Sequence, residues 1–118
     1  SGVSAGVVAV DPFGTILLHN RSAITLLHLE AQETLVGMPL MKAMPAVEPL
    51  LAEMETRGER SIQQEVTHQA GDRQLTLLVR ITAEKHAEEG GAAISRYVVT
   101  FDDVTELSVA QRRAAWAD

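Results

Sequence analysis

Hydrophobic positions along the chain keep two different periods, and the change falls near the middle. In the first half GVVAV (Gly6 to Val10) is a short β-branched run, and the DPFG that follows suits a type I turn. Pro12 presets φ there, and Gly14 accepts the exit geometry. TILLH (Thr15 to His19) then reads as the second arm of a hairpin. Asn20, a good N-cap residue, precedes RSAITLLHL, in which Ala23, Ile24 and Leu27 share one helical face. The next stretch, EAQETLVGMPL, is broken by Gly37 and Pro39 and is expected to form one or two short helical turns. Val47, Leu50, Leu51 and Met54 follow the i, i+3, i+4, i+7 rule, which predicts the longest internal helix, with Pro49 in its first turn and Gly58 as its stop.

Beyond that helix the pattern alternates. SIQQEVTH sets Ile62, Gln64 and Val66 against Gln63, Glu65 and Thr67, and QLTLLVRIT places Leu75, Leu77, Val79 and Ile81 on one face. Both read as strands, joined by AGDR with Gly71-Asp72 as the hairpin turn. HAEEGGAAIS (His86 to Ser95) is expected to be a polar, glycine-bearing loop, and RYVVTFD (Arg96 to Asp102) a last strand. Two strands, a patch of helices and three more strands describe an α+β domain whose antiparallel sheet is covered on one face.

The chain closes on a further helix. Asp103 and Glu106 have the spacing of a capping box, in which the Asp side chain accepts from the Glu106 N–H and Glu106 reaches back to the Asp103 N–H. Thr105 adds a hydroxyl in the first turn. Leu107, Ala110, Ala114 and Ala117 then fall at a, d, a, d spacing, a narrow seam for a second helix, while Gln111, Arg112 and Arg113 form a polar outer face. A seam made mostly of alanine buries little area, so a coil here is weak by itself. The alternative is a stripe that packs back on its own sheet or frays. The expected division is therefore a core over residues 1–102 and a C-terminal signalling or linker helix over 103–118.

Composition narrows the function. The 118 residues make one domain, 46% hydrophobic and 22% charged, as in an ordinary folded protein. A net charge of −6 with scattered Lys and Arg argues against nucleic acid as a partner. Without cysteine there are no disulfides, thiolate zinc sites or thiol nucleophiles. No apolar run approaches the ~20 residues that cross a bilayer, so no direct membrane contact is expected of this stretch. The histidines His19, His28, His68 and His86 lack metal-ligand spacing and are expected at the surface or rim. His28-Leu29-Glu30 lacks the proline that follows a phosphoacceptor histidine, and Asp102-Asp103 lacks the companion acids and lysine of a phosphoaspartate pocket. No phosphate-binding loop or nucleophile elbow occurs, so neither a catalytic residue nor a metal site is assigned to this chain.

GVVAVDPFGTILLHNRSAITLL resembles the opening of a PAS domain, in which a hairpin ends at an Asn that caps the next helix. ETLVGMPL is similar to the family's following segment through Leu35, Gly37, Pro39 and Leu40. DDVTE resembles its closing motif through Asp103, Val104, Thr105 and Glu106. RYVVTFDDVTELSVAQRRAAWAD is similar to the PAS segment that precedes the kinase module of nitrogen-regulation sensor histidine kinases of the NtrY type.

The resemblance implies a five-stranded antiparallel sheet of order 2-1-5-4-3 and a sensing and dimerisation domain of a two-component system. It further implies a homodimer, a kinase module in cis whose phosphoacceptor helix follows soon after Asp118, and a response regulator as the parent's partner. The location it implies is cytoplasmic, in a kinase anchored in the inner membrane of a bacterium. Asp103, Thr105 and Glu106 would relay the signal. A ligand in such folds lies between the sheet and the helices, where Leu18, Leu27, Leu35, Leu50, Met54, Leu77 and Val99 are the candidate lining, with Arg80 as a hydrogen-bond donor. No cofactor is expected: the long internal helix carries no His for haem, and a flavin-cysteinyl adduct needs a cysteine. A plain packed core is the simpler account of the same apolar residues. Two roles stay open, a signalling module and a ligand-free scaffold or protein-interaction domain.

Overall fold

A computed structural model describes residues 4–117, so the first three residues of the expected core and Asp118 of the expected linker lie outside the described residues. β1 (Gly6–Val10) and β2 (Ile16–His19) form the expected hairpin. α1 (Arg21–Leu26) follows, then α2 (Leu40–Ala43), a 3₁₀ turn at Pro45–Val47 and α3 (Glu48–Arg57). β3 (Ser61–Ala70), β4 (Arg73–Glu88) and β5 (Gly91–Asp103) complete a five-stranded sheet of order β2-β1-β5-β4-β3, and α4 (Thr105–Ala117) leaves from its end. Every pairing is antiparallel.

Asn20 ties hairpin to helix as the sequence predicts, and it does more than cap. Its Oδ1 accepts from the Ala23 N–H and from the Val7 N–H, each at 3.0 Å, while its Nδ2 donates to the Ala5 carbonyl at 2.9 Å. One amide therefore fixes where α1 sits against β1. α1 is shorter than the apolar pattern predicts, because His28 takes a left-handed φ of 61°. The Leu29 N–H then donates back to the Ile24 carbonyl at 2.9 Å and the His28 N–H to Thr25 at 3.2 Å, closing a Schellman motif. α3 ends as expected at Gly58, also left-handed.

The polar stretch His86 to Ser95 is not a loop. It is the tip of a long β4–β5 hairpin, paired from Lys85 with Ile94 to Glu88 with Gly91, and only Glu89-Gly90 turn. Composition misleads there because the tip is largely exposed, so nothing selects apolar side chains. Ser95 is the extra residue of a bulge, and its hydroxyl donates to the Glu84 carbonyl at 3.0 Å.

The core lies on one face of the sheet. Val8 and Val10, then Tyr97, Val99 and Phe101, then Leu77, Val79 and Ile81 meet Ile24, Leu35, Leu40, Met44, Val47, Leu50 and Met54 from the helical side. Gly6 sits opposite Phe101 in the β1–β5 register, and a Cβ there would collide with the Cε2–Cζ edge of the Phe101 ring. The close approach of backbone to aromatic requires glycine.

Candidate functional site

The strand-to-helix junction is built from backbone bonds that change hands. β5 pairs with β4 as far as Asp103 opposite Leu77, and the Val104 N–H still donates to the Thr76 carbonyl at 2.9 Å. At the next position the chain turns, and the Thr76 N–H donates instead to the Thr105 hydroxyl at 2.9 Å. Asp103 Oδ1 accepts from the Thr105 N–H at 2.9 Å and from the Thr105 hydroxyl at 2.5 Å. The Ser108 N–H donates to the Val104 carbonyl at 2.8 Å, the first bond of α4.

This corrects the expected capping box. Because Val104 remains paired with β4, the helix begins one residue later than the Asp103-to-Glu106 spacing requires. Val104 takes the N-cap position, Asp103 lies just outside, and Glu106 becomes the second helical residue instead of the third. The Asp103 side chain therefore closes a turn on Thr105 and not on Glu106. Glu106 is exposed and, with Arg73, Asp102 and Asp103, lines a small polar cleft of about 210 Å³.

α4 carries no buried residue among those described, and Leu107, Ala110, Ala114 and Ala117 are all exposed. The seam does not pack back on the sheet. Contact with the body of the domain is confined to the first turns, where Val104, Thr105, Ser108 and Val109 are half-buried.

Of the candidate cavity lining, Leu27, Leu35, Leu50, Met54, Leu77 and Val99 come together in one buried cluster. Leu18 does not join them: it is 51% exposed, on the outer face. β2 is bulged, with Val10 opposite Ile16 but Ala9 opposite Leu18, so Leu17 is an extra residue and the side-chain parity flips. Arg80 is likewise on the outer face, between the inward Val79 and Ile81.

The histidines correct a second expectation. His68 is 6% exposed, and its Nε2 has no hydrogen-bond partner among the described residues. Burial pushes its pKa below the usual imidazole range, opposed by the Leu27 carbonyl facing the ring. The signal was present in the sequence, since His68 continues the inward set Ile62, Val66 and Ala70 at period two. His19 is structural as well: its Nε2 accepts from the Leu35 N–H at 3.0 Å, holding the loop before α2 against β2.

Sheet order, helical cover and the Asn20 and Asp103–Thr105 motifs define one class of domain. A family model described as the PAS fold matches residues 1–104, and the chain belongs to the PAS family. Over all 118 of its residues it is 42% identical to the nitrogen regulation protein NtrY of Azorhizobium caulinodans, of whose length it spans 15%. It is similar to the PAS domain of a Colwellia psychrerythraea protein, with TM-score 0.65 and 15% identity over 86% of this chain and 87% of that one. It is similar also to the PAS domain of nitrogen regulation protein NR(II) from Vibrio parahaemolyticus, with TM-score 0.58 and 19% identity over 84% and 88%. Among the described residues no helix is long and apolar enough to cross a membrane.

Proposed function

We propose that this PAS domain is the signal-sensing and dimerisation module of a nitrogen-regulation sensor histidine kinase, and that it passes its state to an adjoining kinase module through α4. The parent is then an ATP-dependent protein-histidine kinase of the inner membrane, this domain lies on its cytoplasmic side, and a response regulator receives the phosphate. The likeness to NtrY across the whole chain supports the kinase context.

The observation that carries the relay is the junction. An uncovered helix is held to the sheet by the Thr76–Thr105–Asp103 bonds, and the alanine-rich seam beyond it is free for a partner helix. A hydrogen-bonded clasp of this kind is worth about 1 kcal/mol, enough to favour one arrangement and small enough for a signal to overturn. Asp103→Ala and Thr105→Val in the full-length parent are expected to change autophosphorylation severalfold while lowering the melting temperature of the domain only slightly. Loss of output in proportion to unfolding would remove the relay role.

A second reading is a ligand-free scaffold, favoured by the six cavity candidates that pack in one buried cluster. Native mass spectrometry of the purified domain separates the two: a retained small molecule sets the scaffold aside.

A further inference from the structure

A groove of about 650 Å³ runs between α3, the β1–β2 turn and the start of β5. From α3 it receives Glu48, Leu51, Ala52 and Glu55, which at i, i+3, i+4 and i+7 form one helical face. Phe13, 90% exposed at the β1–β2 turn, and Met41 add apolar surface, and Tyr97 closes the wall from β5. The two carboxylates stand two turns apart, about 10 Å along the axis. Ion pairs among the described residues join Arg57 to Glu53 and Arg96 to Glu84, His86 meets Glu88 at 3.3 Å, and none of these contacts involves Glu48 or Glu55. Among the described residues no Lys or Arg lines the groove. Its acidity is felt within: burial, with the Glu55 charge second, raises the pKa of the Tyr97 hydroxyl. An apolar floor between two unpaired carboxylates fits a cationic amphipathic helix carrying an aromatic side chain.

α4 of this same chain has that chemistry. Val109, Arg112, Arg113 and Trp116 share a facet, and Trp116 is 90% exposed. The facet is centred roughly 120° around the helix from the Leu107 seam and meets it only at Ala117, which borders both. In its own chain α4 is uncovered and starts at the Asp103 end of β5, whereas the groove opens near the Gly91 end. About 20 Å of strand separates Tyr97 from Asp103, so the occupant comes from another molecule.

We propose that α4 of one copy docks in the α3 groove of a second copy, with Trp116 against Phe13, Met41 and Leu51 and with Arg112 and Arg113 facing Glu48 and Glu55. The contact is distinct from pairing through the alanine seam and does not depend on it.

Paired charge reversals test it by sedimentation of this 118-residue chain. Glu48→Lys with Glu55→Lys in one chain, and Arg112→Glu with Arg113→Glu in another, are each expected to weaken self-association about tenfold or more. Mixed in equal amounts the two chains regain it, because each reversed surface then meets its complement and each native surface meets a native one. Trp116→Ala lowers association in the native background. The recovery persists when Ala110→Glu and Ala114→Glu spoil the seam in both chains. A mixture that stays monomeric, reversals without effect, recovery that requires the seam, or a native chain monomeric at millimolar concentration each overturns the proposal. Circular dichroism of each variant confirms that it is folded.

Discussion

Thr105 and His68 show how much one side chain can decide. The Thr105 hydroxyl donates to Asp103 and accepts from Thr76, so a single oxygen serves strand and helix at once. Serine preserves that geometry and valine cannot, which is why Thr105→Val is the informative substitution for the relay and Thr105→Ser its control. His68 acts through its charge state. With its native pKa below the ordinary value of 6.5, the unfolded chain binds the proton first as pH falls. Stability therefore declines below about pH 6.5, by at most about 1.4 kcal/mol per pH unit, until the native pKa is reached. His68→Leu removes both the proton site and a buried nitrogen without a partner. Urea titrations at pH 7.5 and 5.5 are expected to show a smaller difference for the variant than for the native chain. An unchanged difference would assign the acid sensitivity to other groups.

At the scale of elements, alternation was legible where one face of a strand is buried and lost where it is not. The inward sets of β4 and β5 announce themselves by alternation, and α3 with the 3₁₀ turn before it by the helical spacing of Val47, Leu50, Leu51 and Met54. The hairpin tip and the bulge of β2 do not, because exposure at the tip removes the pattern and an extra residue reverses it. The start of α4 was off by one residue for a tertiary reason, the Val104–Thr76 bond, which local spacing cannot reveal. α4 also invites a direct test of its seam. Ala110→Leu with Ala114→Leu places larger knobs at d and a and is expected to strengthen dimerisation of the domain, read as a lower dissociation constant in sedimentation equilibrium. No change would argue that the seam has no partner helix in this chain.

Across the whole molecule the sheet order followed from motifs that resemble a known family, whereas the packing had to be seen. Gly6 illustrates the difference: its need for glycine comes from the ring of Phe101, far away in sequence and adjacent in register. Gly6→Ala is expected to destabilise the domain by about 1–3 kcal/mol through overpacking. Adding Phe101→Leu should cost less in the Gly6→Ala background than in the native one, a double-mutant cycle that equilibrium denaturation can read. Equal costs would mean that the two sites do not share the space.

The Thr76 amide also gives the junction a spectroscopic handle. Its proton is held by the side chain of α4 and not by a neighbouring strand, so solvent can reach it only when the helix lifts away from β4. Deuterium uptake at that one position is therefore a clock for release of the lever, readable in the isolated domain before any phosphate moves.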